Sequence, residues 1–398
     1  MKISYKQISH LCIIIFFSIA LNPEWSTNSI IWWMSIFATI VATIASNGFK
    51  IHCKIDLFKI WAILFLAICC ISIVYALNKF VSFESVKTLI ILFIILFLID
   101  DEMESKEDIE TYTKLFLVSL FIMMIYVLFK VDLKSFQLAQ HGEASTGLWN
   151  GNDIGMKCAL FIIIMLHFIN NNTKRILHIF LMFLTIPAFI LVYYTASRKA
   201  FLMIVFGISL FYYLKHPTKK IRNLLVIIIS VYIGYMLLMN VDALYNAIGW
   251  RIEGALALFE KNGKADSSAL LRAKYINVGI KAWKESMMLG YGIDNYRIIN
   301  LMETGHFTYS HNNFVEILVG VGGMGFLIYY SYYIILLYKY IKMYFNHRTS
   351  QIINVIAICF IIMLSMHFAV VSYYSIEQGI MILLMSKAVQ LNQEKNLN

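Results

Sequence analysis

The chain has 398 residues, of which 60% are hydrophobic and only 14% carry a charge. Soluble globular proteins are about half apolar and a quarter charged, so this composition excludes a water-soluble globular fold and indicates a polytopic membrane protein. A net charge of +10 would suggest nucleic acid binding in a soluble protein, but here basic residues gather in short loops that orient membrane helices. We therefore expect no nucleic-acid partner, and a single integral membrane domain over residues 1–398 in contact with membrane lipid.

Apolar segments long enough to cross a bilayer recur along the whole chain. They predict an all-α fold with about 12 transmembrane helices, at 8–22, 29–47, 57–77, 84–100, 111–130, 154–170, 176–195, 199–214, 222–240, 313–340, 351–372 and 375–389.

Lysine and arginine concentrate in alternate connections, as in the run KHPTKKIR at 215–222. The positive-inside rule then places these connections and both termini in the cytoplasm. The acidic run DDEMESKEDIE at 100–110 falls on the same side, and its irregular spacing favours a solvated polar cap over a carboxylate metal site. The six cysteines form no CxxC pair, so we expect no metal centre.

Two long segments, 131–153 and 241–311, are predicted to lie on the outer side. The second is long enough to be functional and reads as partly helical. A helix capped by Ser267 or Ser268 is expected to run to about Met288, where the LGYG sequence ends it. Its spacing places four residues on one face: Arg272, Tyr275, Gly279 and Trp283.

Two arginines on the predicted outer side are candidates for anion binding, because a guanidinium binds phosphate through a planar fork of donors. Arg198 stands between two spans in YYTASRKAF, where positive charge is normally depleted. Its alternative role is that of an interfacial residue that reaches lipid headgroups. Arg272 lies in a basic loop that could instead bind anionic headgroups without doing chemistry.

The stretch YSHNNFVEILVGVGGMG at 309–325 opens a predicted membrane helix with polar residues. The imidazole of His311, with an ordinary pKa near 6.5, suits removal of a proton from a hydroxyl at neutral pH. Glu316 either orients this imidazole or satisfies a buried donor. The glycines that follow are interpreted as a close helix-packing surface.

The segment GLWNGNDIG at 147–155 places Asn150 and Asn152 just before a span. A turn with a helix cap explains these residues, and a contribution to sugar binding is the alternative.

Taken in chain order, four segments carry a family resemblance: GLWNGNDIG, TASRKAF, LLRAKYINVGIKAW with LGYG, and SHNNFVEILVGVGGMG. Over residues 140–390 the chain resembles the bacterial O-antigen ligase/polymerase superfamily, which includes Wzy-type polymerases and WaaL-type ligases. The resemblance implies a membrane glycosyltransferase of GT-C-like architecture, without metal or cofactor, at the outer face of the bacterial cytoplasmic membrane. Its donor would be a saccharide linked to undecaprenyl diphosphate.

The resemblance also implies roles for individual residues. Arg198 and Arg272 would bind the diphosphate, and His311 would be the general base that activates the acceptor hydroxyl. Glu316 is a candidate to orient His311. Candidates for sugar binding are Asn150, Asn152, Asn312 and Trp283.

The type of transferase is predicted from a departure from the ligase pattern HN-x9-G-x-x-G with paired threonines. His311, Asn312, Gly322 and Gly325 match it, but Phe326 and Leu327 follow. This favours a polymerase of O-antigen or capsular repeat units, acting on a lipid-linked acceptor with a separate chain-length regulator as partner. A ligase to lipid A core or protein is the alternative, and a lipid-linked sugar flippase is a remote one, because no repeated halves are found.

Overall fold

The computed structural model describes residues 4–49, 55–140, 147–172, 174–215, 220–241 and 267–394, together with Tyr245, Gly249 and Glu253. The regular elements in these ranges are helices. In chain order they are α1 (Tyr5–Leu21), α2 (Pro23–Ser26), α3 (Ser29–Ser46), α4 (Leu57–Tyr75), α5 (Lys79–Glu102), α6 (Lys106–Lys130), α7 (Leu133–Gln140), α8 (Gly151–Asn171), α9 (Arg175–Phe183), α10 (Ile186–Thr195), α11 (Arg198–Lys215), α12 (Lys220–Asn240), α13 (Ser267–Glu285), α14 (Tyr296–Thr304), α15 (Asn313–Phe345), α16 (Gln351–Met366) and α17 (Ile376–Glu394).

The predicted helical, multi-pass class is confirmed. Within the described residues, 7 helical segments are long and apolar enough to cross a membrane, and three shorter apolar helices accompany them. The predicted number of twelve spans and the GT-C-like arrangement stay predictions. The long segments are Ser29–Ser46, Leu57–Tyr75, Lys79–Glu102, Lys106–Lys130, Gly151–Asn171, Arg175–Thr195 and Asn313–Phe345.

Several predicted helices differ from the structure in their bounds, and two of these differences change the course of the chain. The segment predicted at 176–195 is divided into α9 and α10, and Pro187 stands in the first turn of α10. Proline has no N–H to donate to the preceding turn, which explains the interruption. The helix predicted to reach residue 372 ends at Met366, and a turn follows it.

The acidic run at 100–110 is solvated only in part. Asp100 is 2% exposed, and its carboxylate lies 3.0 Å from the Lys387 ammonium and 3.3 Å from that of Lys59. Lys59 also pairs with Asp101. A buried carboxylate needs such partners, because its desolvation is costly. The solvated-cap interpretation is therefore wrong for Asp100.

Contacts divide the chain into two compact units that alternate along the sequence. The first unit draws on Met1–Ala42, Glu110–Asp266 and Ser350–Ile362, and the second on Thr43–Ile109, Ser267–Thr349 and Met363–Asn398. In the first unit, α8 packs closely against α10 and α11.

In the second unit, α15 is interrupted at Val321 and Gly322, where the backbone leaves helical geometry. The turn after α13 supplies hydrogen bonds at this break. Tyr291 N donates to Val319 O at 2.8 Å, and Gly323 N donates to Met287 O at 2.7 Å. Backbone groups freed inside an apolar domain must find such partners. The glycines of α15 thus form a close-packing surface, but loop backbone rather than a neighbouring helix covers Gly322.

Candidate functional site

Helix α13 carries the predicted helix face of the segment that is expected to lie on the outer side. The Tyr275 side chain is 4% exposed, and Arg272, one turn earlier, is half-buried. Gly279 allows the helix to approach its neighbours, because a Cβ there would lie 2.2 Å from Val315 and 3.0 Å from Tyr296. The helix ends at Glu285 rather than near Met288, and the side chains of Ser267 and Ser268 lie outside the described residues.

His311 lies close to two tyrosine rings. Its ring centroid is 6.2 Å from that of Tyr275, with the planes 11° apart, and 4.2 Å from that of Tyr309. Tyr275 also contacts the His306 ring at 6.3 Å. The backbone of His311 has φ 57°, a left-handed conformation that is uncommon outside glycine and that persists only where the surroundings hold it. Tyr275, one helical turn after Arg272, therefore contacts His311.

Buried hydrogen bonds fix the backbone on both sides of His311. Ser310 donates to the Glu316 Oε2 atom from its N, at 3.0 Å, and from its Oγ, at 2.7 Å. Asn312 caps α15 by accepting from Val315 N at 3.1 Å. Glu316 is 1% exposed. Glu316 thus satisfies two buried donors of Ser310, the residue that precedes His311, and its role in orienting the imidazole stays a prediction.

Two of the predicted sugar-binding residues have structural hydrogen bonds. The Asn312 amide oxygen is used as the helix cap, and its Nδ2 lies 3.4 Å from Phe368 O. The Trp283 Nε1 atom donates to Met287 O at 3.1 Å, and the ring packs at the edge of the α13–α15 core. Their roles toward sugar stay predictions.

An ion pair that the sequence patterns did not predict lies between α13 and His311 along the chain. Arg297 Nη2 donates to Asp294 Oδ1 at 2.7 Å, and the guanidinium lies 5.9 Å from the centroid of the Phe307 ring, which is 56% exposed. Burial raises the pKa of Asp294, and the charge of Arg297 opposes this rise. The three-residue spacing in GIDNYR was the available signal, since oppositely charged side chains at that spacing meet.

In the first unit, Ser197 joins the segment of Asn150 and Asn152 to Arg198. Asn150 Oδ1 accepts from Asn152 N at 2.9 Å, which caps α8. Ser197 Oγ donates to Asn152 Oδ1 at 3.1 Å and accepts from Ala200 N at 3.3 Å. Two of the sequence segments are therefore in contact, and Arg198 begins α11 directly beside them.

A cavity of about 420 Å³ opens beside this contact in the first unit. Its lining includes Phe136 of α7, and Trp149 and Asn150 of the turn before α8. Glu24 anchors the turn, because it accepts from Trp149 Nε1 at 2.8 Å and from Tyr126 OH at 2.6 Å. The bond from Tyr126, followed by that from Trp149, lowers the pKa of Glu24.

Comparison with known families gives one match. A family model described as Wzy_C, O-antigen ligase, matches residues 180–330. The match covers Arg198, Arg272 and His311, whereas Asn150 and Asn152 lie before it. No curated protein and no solved structure matches the chain. The match supports the superfamily that the four sequence segments indicate.

Proposed function

We propose that this chain, which belongs to the O-antigen ligase/polymerase superfamily, is a membrane glycosyltransferase that polymerises O-antigen or capsular repeat units. The growing glycan passes from undecaprenyl diphosphate to a terminal sugar hydroxyl of a lipid-linked repeat unit. The observation that carries the proposal is the contact of His311 with Tyr275, which lies one helical turn after Arg272 on α13.

The proposed reaction is a direct displacement at the anomeric carbon of the donor. His311 takes the proton of the acceptor hydroxyl, and the hydroxyl oxygen forms a bond to the anomeric carbon. The bond from that carbon to the lipid diphosphate breaks, and the diphosphate leaves with the electron pair. Attack from the opposite face inverts the configuration. Arg272 and Arg198 stabilise the negative charge that develops on the leaving group, which requires no metal.

Arg198 is suited to an anionic substrate for a second reason. It occupies the first position of α11, where the helix dipole favours negative charge. Lys199 adds a second cation to the same turn. This supports the diphosphate role of Arg198 within the first unit.

A ligase is the second candidate, because its chemistry would be the same and only the acceptor would differ. The positions that match the ligase pattern, including Gly322 and Gly325, support it. The position after Gly325 favours the polymerase, since Phe326 packs against Tyr330 with ring centroids 4.7 Å apart and does not present a threonine hydroxyl.

The proposal places the reaction at the outer face of the cytoplasmic membrane, with both termini inside. It also includes a separate membrane protein that regulates chain length. The basic residues in alternate connections support this orientation.

Surface glycans of a strain deleted for this gene test the choice of acceptor. We expect the deletion to leave single repeat units attached to the final acceptor, because ligation continues without polymerisation. Complementation with the wild-type gene should restore the ladder of chain lengths on a gel. Long chains retained on undecaprenyl diphosphate would show that the protein is the ligase.

Arg272→Ala is expected to lower kcat/KM for the donor by about 10- to 100-fold, the range for loss of a hydrogen bond to a charged group. The measurement is the initial rate of transfer at several donor concentrations, with expression of each variant matched. Lys274→Ala is the control. Lys274 is exposed on the same helix, so this variant also removes one positive charge from the segment. Equal effects of the two substitutions would indicate general attraction to the membrane surface rather than a specific contact.

A further inference from the structure

A fully buried histidine follows α16 in the second unit. His367 has no exposed surface, and both ring nitrogens have partners. Nε2 lies 3.1 Å from the Gln378 Oε1 atom, and Nδ1 lies 3.1 Å from the Tyr330 hydroxyl. Burial lowers the pKa of His367 to about 4, so the ring is neutral at physiological pH. The polar groups that face the ring include the amide of Gln378 and the phenols of Tyr329, Tyr330 and Tyr333.

The partners determine the tautomer. An amide oxygen can only accept, so Nε2 carries the proton and donates to Gln378. Nδ1 then accepts from the Tyr330 hydroxyl. The Tyr330 oxygen in turn accepts from Asn313 Nδ2 at 3.0 Å. Each hydrogen bond in this chain from Asn313 to Gln378 therefore has a single consistent direction.

Further hydrogen bonds of Asn313 hold the start of α15 against the segment 367–373. Asn313 N donates to His367 O at 2.8 Å. Asn313 Oδ1 accepts from Ser372 N at 2.9 Å and from Tyr373 N at 3.1 Å. Asn313 has no exposed surface and stands two residues after His311. The backbone that leaves His311 is thus bound through every polar group of the Asn313 side chain.

We propose that Asn313, Tyr330 and His367 are positioning residues for His311. They set the position and direction of the first turn of α15, while Glu316 holds Ser310 on the other side. Together these contacts maintain the left-handed conformation of His311 and the direction of its imidazole. The inference rests on the proposed role of His311 as general base. General-base catalysis depends on geometry, since the base must stay within hydrogen-bond reach of the proton that it removes.

Tyr330→Phe tests the inference with a small change, because it removes one hydroxyl from the chain and keeps the ring. We expect kcat for glycan transfer to fall about tenfold per folded molecule, with the KM for the lipid-linked donor unchanged. Tyr332→Phe is the matched control. Tyr332 is also buried on α15, and its hydroxyl lies 2.6 Å from that of Ser386, outside the chain from Asn313 to Gln378. This control is expected to lose similar stability and to keep its kcat.

Gln378→Leu is a second variant, which removes the oxygen that accepts from His367 Nε2 at the opposite end of the hydrogen-bonded chain, and it is expected to lower kcat in the same way. Kinetic constants are normalised to folded protein, measured as the monodisperse fraction after purification. A kcat for Tyr330→Phe equal to that of Tyr332→Phe would overturn the positioning role and leave the proposed function standing. Absence of glycan transfer by the wild-type protein, with either acceptor, would overturn the proposed function and this inference with it.

Discussion

His311→Ala is expected to slow glycan transfer by about 10²- to 10⁴-fold, the usual contribution of a positioned general base. The acceptor hydroxyl must lose its proton as it attacks, and without the imidazole only water is left to take it. The arginines that are proposed to bind the diphosphate remain, so donor binding should be close to that of the wild type. The measurement is the single-turnover rate with lipid-linked donor and acceptor, together with the donor concentration for half-maximal rate.

His347→Ala is the matched control for this experiment. His347 follows the other end of α15, is exposed, and has φ 55°, so it shares the left-handed backbone of His311. If the substitution lowered the transfer rate only because it replaces a histidine with left-handed backbone, both variants would be slowed alike. If His311→Ala retains the wild-type rate while it is expressed normally in membranes, His311 is not the general base.

Gly322→Ala is expected to have the largest effect on folding, a loss of about 4 kcal/mol or more. The backbone there has φ +66°, and an added Cβ would lie 2.1 Å from Met288 O and 2.3 Å from its carbonyl carbon. Both are backbone atoms of a turn that is itself bonded to α15, so neither can move away without breaking those bonds. The thermal unfolding midpoint and the yield of monodisperse protein in detergent report the effect.

Gly234→Ala provides the comparison for Gly322→Ala. Gly234 lies within α12, has no atom within 4 Å of an added Cβ, and is not at positive φ. Alanine is the better helix former, so this variant should be as stable as the wild type or slightly more stable. A Gly322→Ala protein with an unchanged midpoint would show that the interruption of α15 can be repacked at little cost.

The features that could be predicted from the sequence are those encoded over short distances. Apolar runs located the helices within a few residues, and positions 272, 275, 279 and 283 shared a face because a helix repeats every 3.6 residues. The placement of His311 just before α15 follows from the polar residues that precede an apolar run. These are local patterns, and each one can be read without knowing what the segment packs against.

The features that could not be predicted depend on partners far along the chain. Asn313 reads as one more polar residue at a helix start, and only the fold places it against Tyr373, 60 residues later. The interruption of α15 could not be predicted from its paired glycines, because such glycines also suit close packing of an unbroken helix. Asp100 reads as part of a solvated acidic run, and its burial depends on its ion pair with Lys387, which lies far along the chain.

The most direct test of the central claim is an assay with purified protein in lipid nanodiscs, supplied only with an undecaprenyl-diphosphate-linked repeat unit. We predict a ladder of lengthened lipid-linked glycans, formed without an ion gradient or added metal, and its loss in His311→Ala but not in His347→Ala. A wild-type protein that leaves the repeat unit unlengthened, yet transfers it to a lipid A core acceptor, would contradict the polymerase account and identify a ligase.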